Sequence, residues 1–259
     1  MSLQDKRFPI SRREFDAVIF DLDGVITDTA ALHFKAWKQL FDDYLEHEAP
    51  TSAPRQPFSD DDYRRYVDGL PRVDGVETFL ASRGIELERG TPDDPPERVS
   101  VWGLAQRKNR LFLALLATEG ATVFPSSVDI VHAMQSSGFA TAVVTSSQNR
   151  AEVLDTVGLG DLFSVHVDGL DALELGLAGK PDPAPFLEAA RRLDVDPARA
   201  VVVEDAISGV EAGHRGGFGL VVGVDRGDGA DALLRNGADF VVRDLAALEI
   251  VPLERTDGD

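Results

Sequence analysis

The stretch Ala17-Val18-Ile19-Phe20-Asp21-Leu22-Asp23-Gly24-Val25-Ile26-Thr27-Asp28-Thr29 decides how this chain is read. Its first four residues are apolar and include the β-branched Val18 and Ile19, the pattern of a short strand buried on both faces, as in a parallel sheet. The strand runs directly into two carboxylates at i and i+2. In open α/β sheets ligands bind outside the carboxyl ends of the strands. At that edge one acid can act as nucleophile and metal ligand while the other handles protons. Asp-Gly also makes ordinary turns, so this stretch alone leaves both readings open.

Working outward, strands are expected at Thr141 to Thr145, Phe163 to Val167, Val201 to Val203, Leu220 to Val224 and Phe240 to Val242. Helical patterns separate them around Asp129 to Met134, Ala151 to Val157, Pro185 to Leu193 and Val210 to His214. This alternation is the signature of βαβ units. The fold class expected is α/β, with a Rossmann-like, doubly wound parallel sheet as core, formed by residues 1–28 and 119–259. Residues 29–118 lack clear strands and carry helical patterns at Ala31 to Tyr44, Asp61 to Val67, Val76 to Arg83 and Leu104 to Leu116, so they are read as an inserted helical cap. EHEAPTSAPRQPFSDDD and ERGTPDDPPER are expected to be surface loops of that cap. The closing ERTDGD is expected to be a frayed acidic tail.

Composition narrows the function. In 259 residues, 45 Asp and Glu against 26 Lys and Arg give a formal charge of −19, which repels nucleic acid and anionic membrane over most of the surface. No apolar run approaches the roughly 18 residues of a membrane span. The N-terminus lacks the apolar run of a secretory signal, and there is no cysteine for disulfides or thiolate metal sites. A cytoplasmic enzyme with no nucleic-acid or membrane partner is the expectation. Convergent cations in a cleft can still hold a small anion, because salt screens the distant acidic surface beyond about 10 Å.

Three further constellations stand at strand ends. Thr145-Ser146-Ser147-Gln148-Asn149-Arg150 offers hydroxyls and backbone N–H groups at a helix start, suited to a phosphate or simply to capping by Ser147 or Asn149. Gly179-Lys180-Pro181-Asp182-Pro183 places a lysine in a loop, where most lysines are solvated. Val201-Val202-Val203-Glu204-Asp205-Ala206 ends an apolar strand in two acids that can join an oxygen-ligated magnesium site, unless Asp205 only caps the next helix. The order acid pair, hydroxyl, lysine, acid pair supplies what phosphoryl transfer needs: an in-line nucleophile, a bridging cation, and donors for the remaining charge. Asp21, Mg2+, Thr145 or Ser146, and Lys180 fill those places.

These motifs resemble, in order, the four of the haloacid dehalogenase superfamily, and DLDGVITDTAALHFKAW resembles most its β-phosphoglucomutase-like family. The resemblance covers nearly the whole chain. It implies that Asp21 is phosphorylated and that Asp23 is the general acid/base. Mg2+ would be held by Asp21, the Asp23 carbonyl and Asp205, with Glu204 supporting. Thr145, Ser146 and Lys180 would bind the transferring phosphate, with Ser147 and Asn149 on the distal side. In the cap, Gly69-Leu70-Pro71-Arg72 would bring Arg72 to the distal phosphate, His33 and Lys108 would form a pair serving Asp23, and Thr29 would lie in the hinge. The implied substrate is a small phosphorylated sugar, handled by a monomer. Its turnover would be either mutase chemistry through a bisphosphate or, as the alternative, hydrolysis by a phosphatase.

On residue grounds alone, His33 is expected to be an ordinary surface histidine, an expectation the family resemblance reverses; Arg72, beside Pro71 and Val73, could be a solvated loop residue, but the Gly69 and Arg72 spacing supports function. Trp37 is expected in the cap core. Asp42, Asp43 and Asp60 to Asp62 are expected to be solvated acidic faces. Gln148 stands where the family commonly has a lysine, which removes a cation from the distal site; Arg150 is the residue expected to compensate.

Overall fold

The computed structural model describes residues 7–227 and 229–251. The acidic tail ERTDGD lies outside the described residues. Two compact units form, one from the chain up to Asp28 and again from Val123, the other from Thr29–Thr122. In chain order the first unit begins with β1 (Phe8–Ser11), β2 (Ala17–Asp21) and β3 (Thr27–Asp28). The second unit holds α1 (Ala30–His47), α2 (Asp60–Tyr66), α3 (Arg72–Ser82) and α4 (Val101–Glu119). After β4 (Thr122–Val123) the first unit resumes with α5 (Pro125–Ser136), β5 (Ala140–Val144), α6 (Arg150–Thr156), β6 (Val165–Val167), α7 (Gly169–Leu175) and α8 (Ala184–Leu193). It closes with β7 (Ala200–Glu204), α9 (Ile207–Arg215), β8 (Leu220–Val224), α10 (Ala230–Arg235), β9 (Phe240–Val242) and β10 (Leu248–Val251).

The core sheet is parallel, with order β6-β5-β2-β7-β8-β9. Every residue of β2 and β7 is buried, as strands covered on both faces must be. The register pairs Ala17 with Ala140 and Ala200, and Asp21 with Val144. The carboxyl ends of three adjacent strands, β5, β2 and β7, therefore lie side by side, and the chain reverses its winding there. That is where an open sheet binds its ligand.

In the second unit, Leu32, Ala36, Trp37, Leu40, Phe41, Tyr44 and Leu45 make the buried stripe of α1, at the three- and four-residue spacing of an amphipathic helix. Trp37 belongs to this core, as expected, stacked on Phe41 with centroids 5.1 Å apart. Phe41 meets Phe79 of α3 at 4.0 Å.

Several expectations are corrected. α1 runs three residues past Tyr44, and α3 starts at Arg72 rather than Val76, because Pro71, with φ −54°, delivers the chain into the first turn. The end of EHEAPTSAPRQPFSDDD is helical, since Ser59 and Asp62 form a capping box at the start of α2. Asp62 is buried and paired with Arg83 at 2.9 Å, and Asp42 accepts from the Phe58 N–H at 2.7 Å and from Lys38 at 2.7 Å, so neither is a merely solvated acid. α7 and α10 were not foreseen, nor was the parallel pairing of β1 with β10. No helix among the described residues is long and apolar enough to cross a membrane.

Candidate active site

The last residue of β2 is Asp21, and the last of β7 is Glu204. Between them lies the ammonium of Lys180, 2.5 Å from Asp21 Oδ1 and 2.5 Å from Glu204 Oε1. Lys180 is 2% exposed and Glu204 wholly buried, so Lys180 is not the solvated lysine that a loop position usually holds. Burial works against the Lys180 charge, but the two carboxylates more than reverse that and lift the ammonium above the ordinary lysine range. Burial likewise pushes Asp21 well above the usual carboxylate range; Lys180 opposes this, while Glu204 and Asp23 add to it. Glu204 Oε2 accepts from the Ala206 N–H at 2.7 Å. Both of its oxygens are therefore engaged, so it supports the site through Lys180.

Two glycines make this packing possible. A Cβ at Gly24 would stand 1.8 Å from Asp205 Oδ2, so the Asp205 carboxylate lies directly against the turn that follows Asp23. Gly24 also has φ +85°, a conformation glycine adopts without strain. A Cβ at Gly209 of α9 would stand 1.7 Å from Glu204 Oε1. The N-cap position of α9 is Ala206, one residue past Asp205.

Thr145, just past β5, donates from Oγ1 to Asp23 Oδ2 at 3.2 Å and accepts there from the Ser147 N–H at 3.0 Å. Ser147 Oγ accepts from the Asn149 N–H at 3.1 Å. Asn149 occupies the N-cap position of α6 without a side-chain cap, and Ser146 lies in the same turn. Arg150, the candidate to compensate for Gln148, has its Nε held 3.0 Å from Asp168 Oδ2, and Asp168 Oδ1 caps α7.

The remaining expected residues belong to the second unit. The Lys108 ammonium donates to His33 Nδ1 at 2.7 Å, and His33 stacks on Phe112 with centroids 4.2 Å apart. Lys108 is 2% exposed and lies 5.0 Å from the ring centroids of Trp37 and Phe112, so His33 is no ordinary surface histidine. Thr29 is buried, and its carbonyl accepts from the His33 N–H at 3.0 Å. Arg72 is half-buried as the first residue of α3, not a loop residue, and burial lowers it to about 10.

Oxygen ligands suit magnesium, and at the carboxyl ends of β2 and β7 the chain brings the acids Asp21, Asp23, Glu204 and Asp205, with Lys180 between Asp21 and Glu204. Away from the sheet edge, His166, Asp168 and Asp171 bring ligand atoms within 4.8 Å of one another. Their carboxylates are already occupied: Asp168 by the α7 cap and Arg150, Asp171 by the Asp168 N–H and Arg192. That group is structural.

The profile of the haloacid dehalogenase-like hydrolases matches residues 15–217, which hold every residue of this sheet-edge cluster. The chain belongs to the haloacid dehalogenase-like hydrolase family. Within it the chain is an enzyme of the β-phosphoglucomutase-like kind. It is 49% identical over 237 residues to a protein of Mycobacterium tuberculosis named β-phosphoglucomutase, covering 90% of each chain. It is 30% identical over 240 residues to a phosphorylated carbohydrates phosphatase of Thermotoga maritima, covering 91% of this chain and 98% of that one. The crystal structure of a β-phosphoglucomutase from Clostridium difficile shares the fold, with TM-score 0.72 and 24% identity over 91% of this chain and 93% of that one.

Sequence reasoning missed Arg226, which reaches the turn after Asp23 from the end of β8. The signal was present, since VDRGDG follows an apolar strand as the other motifs do. It missed Gly209 too, which has no motif of its own.

Proposed function

We propose that the chain is a magnesium-dependent phosphomutase that carries the phosphoryl group on Asp21 and interconverts β-glucose 1-phosphate and glucose 6-phosphate through the 1,6-bisphosphate. The observation that carries this is the buried chain Asp21–Lys180–Glu204 at the carboxyl edge of the sheet. The name and 49% identity of the mycobacterial relative support the sugar.

An Asp21 oxygen attacks the phosphorus as the P–O bond to the departing sugar oxygen breaks, and Asp23 gives that oxygen its proton. In the second half a sugar hydroxyl attacks the phosphorus of phospho-Asp21. Its proton passes to Asp23, and the P–O bond to Asp21 breaks. Lys180 holds Asp21 in place and, with Thr145 and Ser146, meets the charge on the phosphoryl oxygens. Asp21, the Asp23 carbonyl and Asp205 would hold Mg2+, which supplies positive charge to the transferring group when bound. Arg72 is assigned to the distal phosphate: a helix N-terminus favours an anion, and an anion offsets the burial that lowers this guanidinium. His33 and Lys108 are assigned to serve Asp23. A small phosphorylated sugar is the partner proposed, for a monomeric cytoplasmic enzyme.

A second reading is a sugar-phosphate phosphatase, in which water takes the phosphoryl group from Asp21. Gln148 and the commitment of Arg150 to Asp168 favour it, since both leave the distal side short of cations. Phosphorus NMR with Mg2+, β-glucose 1-phosphate and a trace of the 1,6-bisphosphate separates the two. Glucose 6-phosphate growing without free phosphate is the expected result; free phosphate alone would replace the mutase by the phosphatase.

A further inference from the structure

The loop after β8 is fixed by Asp225. Its N–H donates to the Val242 carbonyl at 2.8 Å, and its carboxylate accepts from the N–H groups of Gly227, Gly229 and Ala230 at 2.9, 3.0 and 3.1 Å. From this anchored backbone Arg226 reaches back to the turn that follows Asp23. Its Nε donates to the Gly24 carbonyl at 3.2 Å, and its Nη2 to the Val25 carbonyl at 3.4 Å and Ser127 Oγ at 3.3 Å. Nη1 donates to the Arg243 carbonyl at 3.2 Å, and the guanidinium carbon lies 3.6 Å from the centroid of the Phe124 ring. A guanidinium carries its five donors in one plane, and the aromatic face beneath it fixes that plane.

Gly24 and Val25 directly follow Asp23, so the carbonyls that Arg226 holds anchor the turn on which Asp23 is mounted, alongside its own bonds from the Gly24 N–H to the Thr27 carbonyl and from the Ile26 and Thr27 N–H groups to the Leu22 carbonyl. Thr145 also reaches the Asp23 carboxylate, donating to Oδ2 at 3.2 Å. The guanidinium is also an ion-pair partner of Asp244, whose Oδ2 lies 3.7 Å from Nη1, and is close enough to feel Asp205 and Asp28.

We infer that Arg226 is a positioning residue that clamps the Gly24 and Val25 carbonyls and thereby aims Asp23 for proton transfer. The inference rests on the proton-transfer role assigned to Asp23. Arg226 acts through the backbone and touches no reacting atom.

The test compares R226A and R226K with the unsubstituted chain on two substrates, β-glucose 1-phosphate and p-nitrophenyl phosphate, with Mg2+ present. A sugar oxygen needs a proton to leave, whereas p-nitrophenolate leaves without one. R226A is expected to lower kcat for the sugar phosphate between about tenfold and a hundredfold, part of the 10²–10⁴ that general acid–base catalysis supplies. The first release of p-nitrophenolate, read as a pre-steady-state burst before water must reach phospho-Asp21, and both KM values should change by less than about threefold, since the phosphate-binding groups are untouched. R226K keeps the charge without the plane and should fall between; if R226A does not fold, R226K carries the same comparison. Equal losses on both substrates, as an unfolded fraction produces, or no loss on either would overturn the clamp. D21N turning over either substrate would overturn the aspartyl-phosphate reading, and this inference with it. With D21N inactive and D23A showing the same split between substrates, the Arg226 variants alone decide.

Discussion

Replacing Lys180 by Met removes the ammonium and keeps most of the apolar stem. Two charge-assisted bonds of 2.5 Å are lost, one to a carboxylate that is 6% exposed and one to a carboxylate with no exposure. Hydrogen bonds to charged groups contribute about 1.5–3 kcal/mol each, and removing one partner of a buried ion pair costs about 3–5 kcal/mol because the other charge is stranded. The second figure already contains the first, so the expected loss is about 3–5 kcal/mol, a large share of the 5–15 kcal/mol that holds a domain together. With a urea dependence of about 2–3 kcal/mol per molar, the midpoint should fall by about 1–2 M. The assay is urea unfolding followed by far-ultraviolet circular dichroism, with hydrogen exchange at the amides of β2 and β7. Both tryptophans, Trp37 and Trp102, lie in the helical unit, so their fluorescence reports on that unit and not on the sheet. In the folded fraction kcat should fall by about 10²–10³, as when one preorganised donor to a transition-state charge is removed. A midpoint within about 0.3 M of the parent, under about 1 kcal/mol at that slope, would refute the argument that the ammonium neutralises buried charge.

Gly209→Ala should destabilise the first unit by about 1–3 kcal/mol as an overpacked core does. Because the new Cβ would fall 1.7 Å from Glu204 Oε1, it should also lower kcat; calorimetry and a rate assay would show unchanged values if the carboxylate can move aside freely. Exhaustive chelation should abolish turnover and Mg2+ restore it. D205N should lose the rise in Tm that Mg2+ gives the parent, and an equal rise in both would remove Asp205 from the ligand set. Glu188 accepts from Arg191 and Arg192, whose hydrogen bonds lower it to about 2. A depressed acid stabilises above its unfolded value of about 4.3 and loses that contribution as pH falls through its folded value. E188Q should therefore be less stable than the parent by about 1 kcal/mol at pH 7, the upper end for a solvent-exposed pair, with the gap narrowing below about pH 4. A gap that stayed constant from pH 7 to pH 3 would count against that ion pair.

The parts of the fold set by contiguous residues were legible in the sequence. The β-branched runs of β2, β7 and β8 announced buried parallel strands, and Asp21, Glu204 and Asp205 followed them in the same motif. The short α7 was not legible, because its start depends on Asp168, whose capping box with Asp171 uses a second aspartate where glutamate is usual. β1 and β10 were missed because their partner residues are some 240 positions apart, and periodicity within one segment carries no information about such a pairing.

The site divides along the same line. A motif names residues that must be near a strand end, but it does not say what neutralises what. Lys180 was read as a loop lysine that could reach a phosphate, yet its two carboxylate partners are Asp21, 159 positions before it, and Glu204, 24 after it. Glu204 was read as supporting the metal, but its contacts to Lys180 and to the Ala206 N–H could not be read from its motif, and the space it occupies exists because residue 209 has no side chain. The chemical identity of the acids is thus encoded locally, whereas the division of labour among them is set by tertiary packing. Arg226 follows from the same reasoning: a cation outside every motif can govern a residue inside one, because what it holds is the backbone that the motif shares.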